Sequence, residues 1–523
     1  MSDLQQRTWI VAALRCFVVL NLFTGVAWSQ PGWGKPSAFL DPPPGQSEHT
    51  PVKSCSDLLS LTSFEITIAT AVLVPETGEM PDHCRLTGQI LPEIRFELNL
   101  PTRWNRRFLM TGNGGYAGIL NSRTQFLIPG FAIATTDTGH DALKEPGGSF
   151  AVNRQKLLDY AFRSLHVTAE TAKRVIADYY GVKPSFSCFI GGSTGGRQAL
   201  ILAQRFPEDF DGIVSGMPIL DFTGTMLRFT YTAQALSAAP IPVSKLKLLA
   251  ERVYQECDDK DGLADGLIDD PRLCDFQPSR HLPKCPDGVD HDGCFTAGQI
   301  AALEKIYGPV MSRGKAIFPG WPVSAEVKGT SGEHGWQRWI ISDQEKSRSV
   351  GFAEHFFRYM AFPEKNPNYE LREFDFDKDV PRLEEIGRIL NATDPDLSRF
   401  KARNGKLVMW FGWADQALNA QRAVDYYEEI MARMGPTTRD FFRLYMVPGM
   451  FHGRGGIGPN EFDSLTPLID WVEKGIAPDR IVGYWEENGR VMRSRPLCPY
   501  PEVAKYRGTG SIDEADNFEC GCR

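Results

Sequence analysis

Short runs of consecutive apolar residues, separated by stretches of helical periodicity, organise the chain from residue 107 onward. The runs at 107–111, 131–135, 185–190 and 212–216 are too short for helices and read as strands. Apolar residues at helical spacing predict helices over 157–180 and 195–206, the second stopped by Pro207. Strands spaced by helices in this way build a parallel sheet. Two further strands are expected at 406–411 and 441–447, then a helix over 464–474 and a loop-rich tail.

The 186 residues from 219 to 404 separate the strand at 212–216 from the one at 406–411. Ordinary connections run to a few residues, so this stretch is expected to be an inserted lid domain over the sheet. The catalytic domain would then comprise 54–218 and 405–523, an α/β core. Residues 30–53, with Pro42-Pro43-Pro44-Gly45, carry too little periodic apolar content for a core and read as a flexible leader.

At 523 residues, with 42% hydrophobic and 23% charged side chains, the composition is that of a globular protein too large for one small core. A net charge of −8 without a Lys/Arg-rich run gives no reason to bind nucleic acid. The apolar run 9–28 follows Arg7, contains Arg15 and ends at Ala27-Trp28-Ser29. Charged start, apolar middle and small-x-small exit predict a secretory signal over 1–29, removed before Gln30. A signal-anchor helix is the alternative, disfavoured by a charge that would sit at the bilayer centre. No later stretch reaches the roughly 20 apolar residues of a span, so no membrane association is expected after cleavage.

Eleven cysteines, ten of them beyond the signal, fit disulfide bonding in an exported chain. Cys257 lies close to Cys274, Cys285 to Cys294, and Cys498 to both Cys520 and Cys522, though spacing leaves the connectivity open. Asn391-Ala392-Thr393 is a glycosylation sequon.

Gly191-Gly192-Ser193-Thr194-Gly195 fits G-x-S-x-G, between an apolar strand and a helix. Such a turn lifts a serine above a sheet, and glycines permit its close backbone approach. A serine hydroxyl needs a base, and the base needs an orienting carboxylate. Asp415, just past the strand at 406–411, and His452, past the strand at 441–447, follow Ser193 in the order such folds use. The amide of Thr194 is one expected oxyanion donor, and Gly114 or Gly115 in Gly112-Asn113-Gly114-Gly115-Tyr116 the other, with Tyr116 lining an acyl pocket.

Residues 258–269 read Asp-Asp-Lys-Asp-Gly-Leu-Ala-Asp-Gly-Leu-Ile-Asp. Carboxylates this dense repel unless a hard cation sits among them. Asp258, Asp261 and Asp265, with the carbonyls of Leu263 and Leu267, would make an oxygen cage suited to structural Ca²⁺. No bidentate Glu closes it, so it is not an EF-hand.

These stretches resemble the tannase and feruloyl esterase family. The resemblance rests on Trp104-Asn105, Arg107-Phe108-Leu109, residues 112–118, 192–198 and 203–212, the acidic loop, Val447-Pro448-Gly449-Met450, and 495–501. It implies an α/β-hydrolase core with a calcium-bearing lid and hydrolysis of small esters of aromatic acids. It implies Ser193 as nucleophile, Asp415 as orienter, His452 as base and the five lid positions as calcium ligands. It further implies the pairs Cys55 with Cys84 and Cys498 with Cys520, leaving Cys188 and Cys522 over. The family's cysteines before the nucleophile and after the histidine are replaced by Gly192 and Gly453, which points to a divergent member. A lactonase or acyl transferase on a secondary metabolite, and a catalytically silent binding protein, are the competing readings. The sequence carries no reading of oligomeric state.

Overall fold

The computed structural model describes Pro43 and residues 45–522, apart from 331, 344, 345 and 488. The expected signal 1–29 and the first part of the leader lie outside the described residues. Nine strands form the main sheet: β1 (Ile66–Val74), β2 (His83–Ile90), β3 (Ile94–Pro101), β4 (Arg107–Thr111), β5 (Ala132–Thr136), β6 (Phe186–Gly192), β7 (Gly212–Gly216), then β10 (Lys406–Gly412) and β11 (Phe442–Val447). Between β7 and β10 lies a hairpin of β8 (Val310–Ser312) and β9 (Lys315–Phe318). The tail holds two more hairpins, β12 (Ile481–Glu487) with β13 (Arg490–Leu497) and β14 (Val503–Tyr506) with β15 (Phe518–Gly521).

The sheet order is β1-β2-β3-β5-β4-β6-β7-β10-β11. The first three strands and β5 pair antiparallel, while β5, β4, β6, β7, β10 and β11 run parallel. Every residue of β4, β5, β7 and β10 is buried, the signature of parallel strands covered on both faces. Because β4 lies between β5 and β6, the chain reverses its direction of travel across the sheet there. Open α/β sheets form clefts beyond the carboxyl ends of strands at such a reversal.

The helix expected over 157–180 is observed in three pieces: Arg154–Leu158, a π turn at Asp159–Arg163, and Ser164–Tyr180. The wide turn frees carbonyls that a regular helix would use. Arg197, fully buried on the next helix, donates to Tyr160 O (3.2 Å) and Ala161 O (3.0 Å).

Four disulfides are present: Cys55–Cys84, Cys257–Cys274, Cys285–Cys294 and Cys498–Cys520. The second closes the base of the acidic loop. Cys188 is a buried free thiol and Cys522 an exposed one. Among the described residues, the segment between β7 and β10 adds no strand to the main sheet. Its helices, including Phe222–Ala238 and Arg348–Tyr359, pack into the same hydrophobic cluster as the sheet. No helix of the described residues is long and apolar enough to cross a membrane.

Candidate active site

Ser193 occupies the turn between β6 and the helix Thr194–Arg205, with φ 61° and ψ −118°. A left-handed φ on a residue with a Cβ is strained, and such strain persists where surrounding structure enforces it. Here the enforcement is close backbone contact. A Cβ on Gly191 would lie 2.2 Å from Gly195 O, and one on Gly195 would lie 3.0 Å from Asn113 O. The two glycines of the motif are therefore steric requirements.

Past β10, Asp415 is buried, and its Oδ1 accepts the amides of Ala417 and Leu418, both at 2.8 Å. Its Oδ2 stands 2.7 Å from His452 Nδ1, past β11. A carboxylate only accepts, so this contact fixes the proton on Nδ1 and leaves Nε2 with its lone pair. Gln416 Oε1 accepts the His452 amide at 3.0 Å, which ties the two loops a second time.

Ser193, Thr194 and His452 line one cavity of about 400 Å³, with Gly112 to Tyr116 on its rim. The sequence-derived candidates from four loops thus meet at one end of the sheet, while Asp415 sits behind His452. The wall is mostly apolar: Met217, Ile219, Phe222, Met226, Phe229 and Leu418 contribute. An aromatic row continues it, with His452 5.9 Å from Trp339, Trp339 6.1 Å from Phe352 and nearly parallel to it, and Phe352 5.4 Å from Tyr116, between ring centroids. Tyr116 OH donates to Phe352 O at 2.7 Å, and burial pushes its phenol well above the usual range. Arg123, 7% exposed, and Arg454 complete the lining; burial holds Arg123 down to about 10.

Sequence reasoning missed Trp339 and Arg123, which lie in stretches without periodicity or motif, and Phe352, which stands on the helix Arg348–Tyr359 of the inserted segment. It also missed Gln198, whose Oε1 accepts the Asn113 amide at 3.0 Å, although the position stands five residues after Ser193 in a quoted stretch.

The acidic loop is far along the chain from these residues. Asp258 Oδ1 accepts Gly266 N (2.8 Å), Asp261 accepts Leu263 N and Asp269 N (both 3.0 Å), and Asp265 Oδ1 accepts Leu267 N (3.1 Å). Burial, Asp265 and Asp259 together raise the Asp258 carboxyl above its usual value. Among the described residues, no set of three or more His, Cys, Asp and Glu side chains is gathered for a metal; the aspartates are turned onto the loop's own amides. Asn391, in the sequon, is part of the fold: its Nδ2 donates to Thr223 Oγ1 at 2.9 Å and its Oδ1 accepts Thr223 N at 3.0 Å.

The family described as "Tannase and feruloyl esterase" matches residues 78–521. An uncharacterised esterase of Xanthomonas campestris pv. campestris is 34% identical, covering 89% of this chain and 91% of its own. The mono(2-hydroxyethyl) terephthalate hydrolase of Piscinibacter sakaiensis is 33% identical over 84% of this chain and 85% of its own. The crystal structure of an esterase from Aspergillus oryzae superposes with a TM-score of 0.79 at 25% identity, covering 89% of this chain and 98% of that one. The chain belongs to the tannase and feruloyl esterase family and is a carboxylic ester hydrolase on an α/β-hydrolase core.

Proposed function

We propose that the protein is a secreted serine esterase acting on esters of aromatic acids through Ser193, His452 and Asp415. The observation that carries this reading is the 2.7 Å Asp415–His452 contact at a cavity whose wall also contains Ser193. In the proposed mechanism His452 Nε2 takes the Ser193 proton as Oγ attacks the ester carbonyl. Asp415 stabilises the imidazolium, which then gives its proton to the leaving alcohol. The amides of Thr194 and of Gly114 or Gly115 hold the oxyanion. Water, activated by His452 in turn, releases the acyl group. The segment 219–404 serves as the lid, supplying Phe222, Met226, Phe229, Trp339 and Phe352 to the acyl side.

One feature favours a second substrate class, half-esters of aromatic dicarboxylic acids. Arg123 and Arg454 bring positive charge to a mostly apolar cavity wall, an environment that draws a free carboxylate. The terephthalate half-ester named in the Piscinibacter relative is of this class.

Calcium in the acidic loop belongs to the same proposal. The chemistry of the donors suits a hard cation, since Asp258, Asp261 and Asp265 and the carbonyls of Leu263 and Leu267 offer oxygen alone, but the three carboxylates are not gathered about one point here and Asp265 is paired with Arg495. An ion there would offset the burial and the neighbouring carboxylates that raise Asp258, and would take no part in the reaction. Export agrees with four disulfides and with the charged-then-apolar start of the sequence.

The test is incubation with a fluorophosphonate and peptide mapping, followed by rates on hydroxycinnamate, gallate, simple aryl and terephthalate half-esters. An adduct on Ser193, and loss of hydrolysis in Ser193→Ala, are expected. A folded protein without that adduct would overturn the mechanism. Loss of half-ester activity alone in Arg123→Gln would select the second substrate class.

A further inference from the structure

Two hydroxyl groups from different elements meet on one carbonyl. Thr194 Oγ1 donates to Gly115 O at 2.6 Å, and Tyr160 OH donates to the same oxygen at 3.1 Å. Thr194 directly follows Ser193, and Tyr160 stands in the π turn that Arg197 stabilises. Gly115, with φ +55°, lies on the cavity rim. The peptide before it is fixed as well, because Gly114 O accepts Ala117 N at 2.9 Å. In a trans peptide the N–H points opposite to the C=O, so that bond sets the direction of the Gly115 amide. Asn113 N is already committed to Gln198, which leaves the glycine amides as the loop's free choice of donor.

We infer that Thr194 and Tyr160 are positioning residues: their hydroxyls lock Gly115 so that its amide, with that of Thr194, forms the oxyanion hole. This rests on the Ser193 mechanism proposed above. The side chain of Thr194 thereby holds one donor while its own backbone supplies the other, and the two halves of the hole are joined through a single hydrogen bond. Both side chains are buried, so water does not replace a lost hydroxyl.

Donors aimed at the oxyanion act in the transition state and leave substrate binding largely unchanged. Thr194→Val, which keeps shape and removes the hydroxyl, is expected to lower kcat about tenfold or more with KM nearly constant. It should weaken a benzeneboronic acid, which forms a tetrahedral adduct on serine, by a similar factor. Tyr160→Phe should act in the same direction, and Thr194→Ser should restore the wild-type values. Fluorophosphonate labelling of the wild type separates the two levels of the argument. Labelling at Ser193 with unchanged kcat and boronate affinity in Thr194→Val overturns the clamp alone. Equal losses in Thr194→Ser and Thr194→Val also overturn it, since the hydroxyl would then be irrelevant. Absence of wild-type labelling overturns the serine mechanism and the clamp with it.

Discussion

Asp265 of the acidic loop and Arg495 of β13 form an ion pair across 230 residues of chain, and both side chains are almost wholly buried. Arg493, on the same strand, donates to Asp265 O at 3.0 Å. The C-terminal hairpin therefore anchors the loop, and the Cys257–Cys274 bond closes it from the other side.

Removing one partner of a buried pair leaves the other charge uncompensated, at a cost of about 3–5 kcal/mol. Arg495→Met should lower the urea midpoint accordingly, because Asp265 would then face Asp258 without its cation. Bound Ca²⁺ would also hold the loop, so millimolar calcium should raise the wild-type midpoint and recover part of the loss in Arg495→Met. A wild-type midpoint indifferent to calcium and to chelator would exclude the cation.

Glu326 is fully buried in the segment between β7 and β10, and its carboxyl is raised to about 7. Tyr307 OH and Ser324 N each donate to it at 2.7 Å, which favours the anion, but burial outweighs both. In the unfolded chain this group titrates near its ordinary value of 4.5. Between there and about 7 the folded protein keeps a proton that the unfolded chain has released. Folding stability from this site is therefore full below that interval, falls as pH rises through it, and is level above, by roughly 3 kcal/mol at most. Denaturation curves taken across the interval should show this decline in the wild type and a flatter profile in Glu326→Gln. An identical slope in both proteins would assign the pH dependence to other groups.

The parallel strands were legible because each holds a short apolar run: β7 is observed at the expected 212–216, around Ile213-Val214, and β4 at 107–111, around Phe108-Leu109-Met110. The strands β1 to β3 went unread. They form an antiparallel edge whose signals were present but of another kind: β3 alternates apolar Ile94, Phe96, Leu98 and Leu100 with polar residues, and the apolar run Ala71 to Val74 of β1 leaves Val72 and Leu73 exposed. The motif around Ser193, and the strand-end positions of Asp415 and His452, were readable because covalent order maps onto sheet order. Contacts such as Tyr160 with Gly115 were not, since they depend on a π turn that helical periodicity conceals. Trp339 was hidden because a side chain that lines a cavity from irregular backbone leaves no period in the sequence, and Phe352 because its amphipathic helix, Arg348–Tyr359, went unread within the inserted segment.

Asn391 is the asparagine of a sequon, yet both ends of its amide are engaged with Thr223. A glycan replaces one of the two hydrogens on Nδ2, so the bond to Thr223 Oγ1 would have to be kept by the other, beside a bulky sugar in a half-buried site. Protein expressed in a glycosylating host should therefore carry an unmodified Asn391 once folded, as read by mass spectrometry before and after deglycosylation. Asn391→Ala should cost about 1–3 kcal/mol, because it leaves the Thr223 amide without its acceptor. A full-occupancy glycan on a protein of unchanged stability would contradict this placement.

Phe352 stands half-buried between Trp339 and Tyr116 in the wall of the cavity. An aromatic acyl group entering beside Ser193 would bury against this row, whereas an acetyl group is too short to gain the same area. Truncation to Ala removes a contact worth about 1.5–3 kcal/mol when fully buried, and about half of that at a half-exposed position. Phe352→Ala should thus raise KM for hydroxycinnamate or benzoate esters about three- to tenfold while changing KM for an acetate ester of the same alcohol little. Tyr116→Phe should be milder, since it keeps the ring and loses only the bond to Phe352 O. Equal losses on aromatic and acetyl esters would instead assign Phe352 to holding the segment in place, and the aromatic acid would have to be sought against another wall.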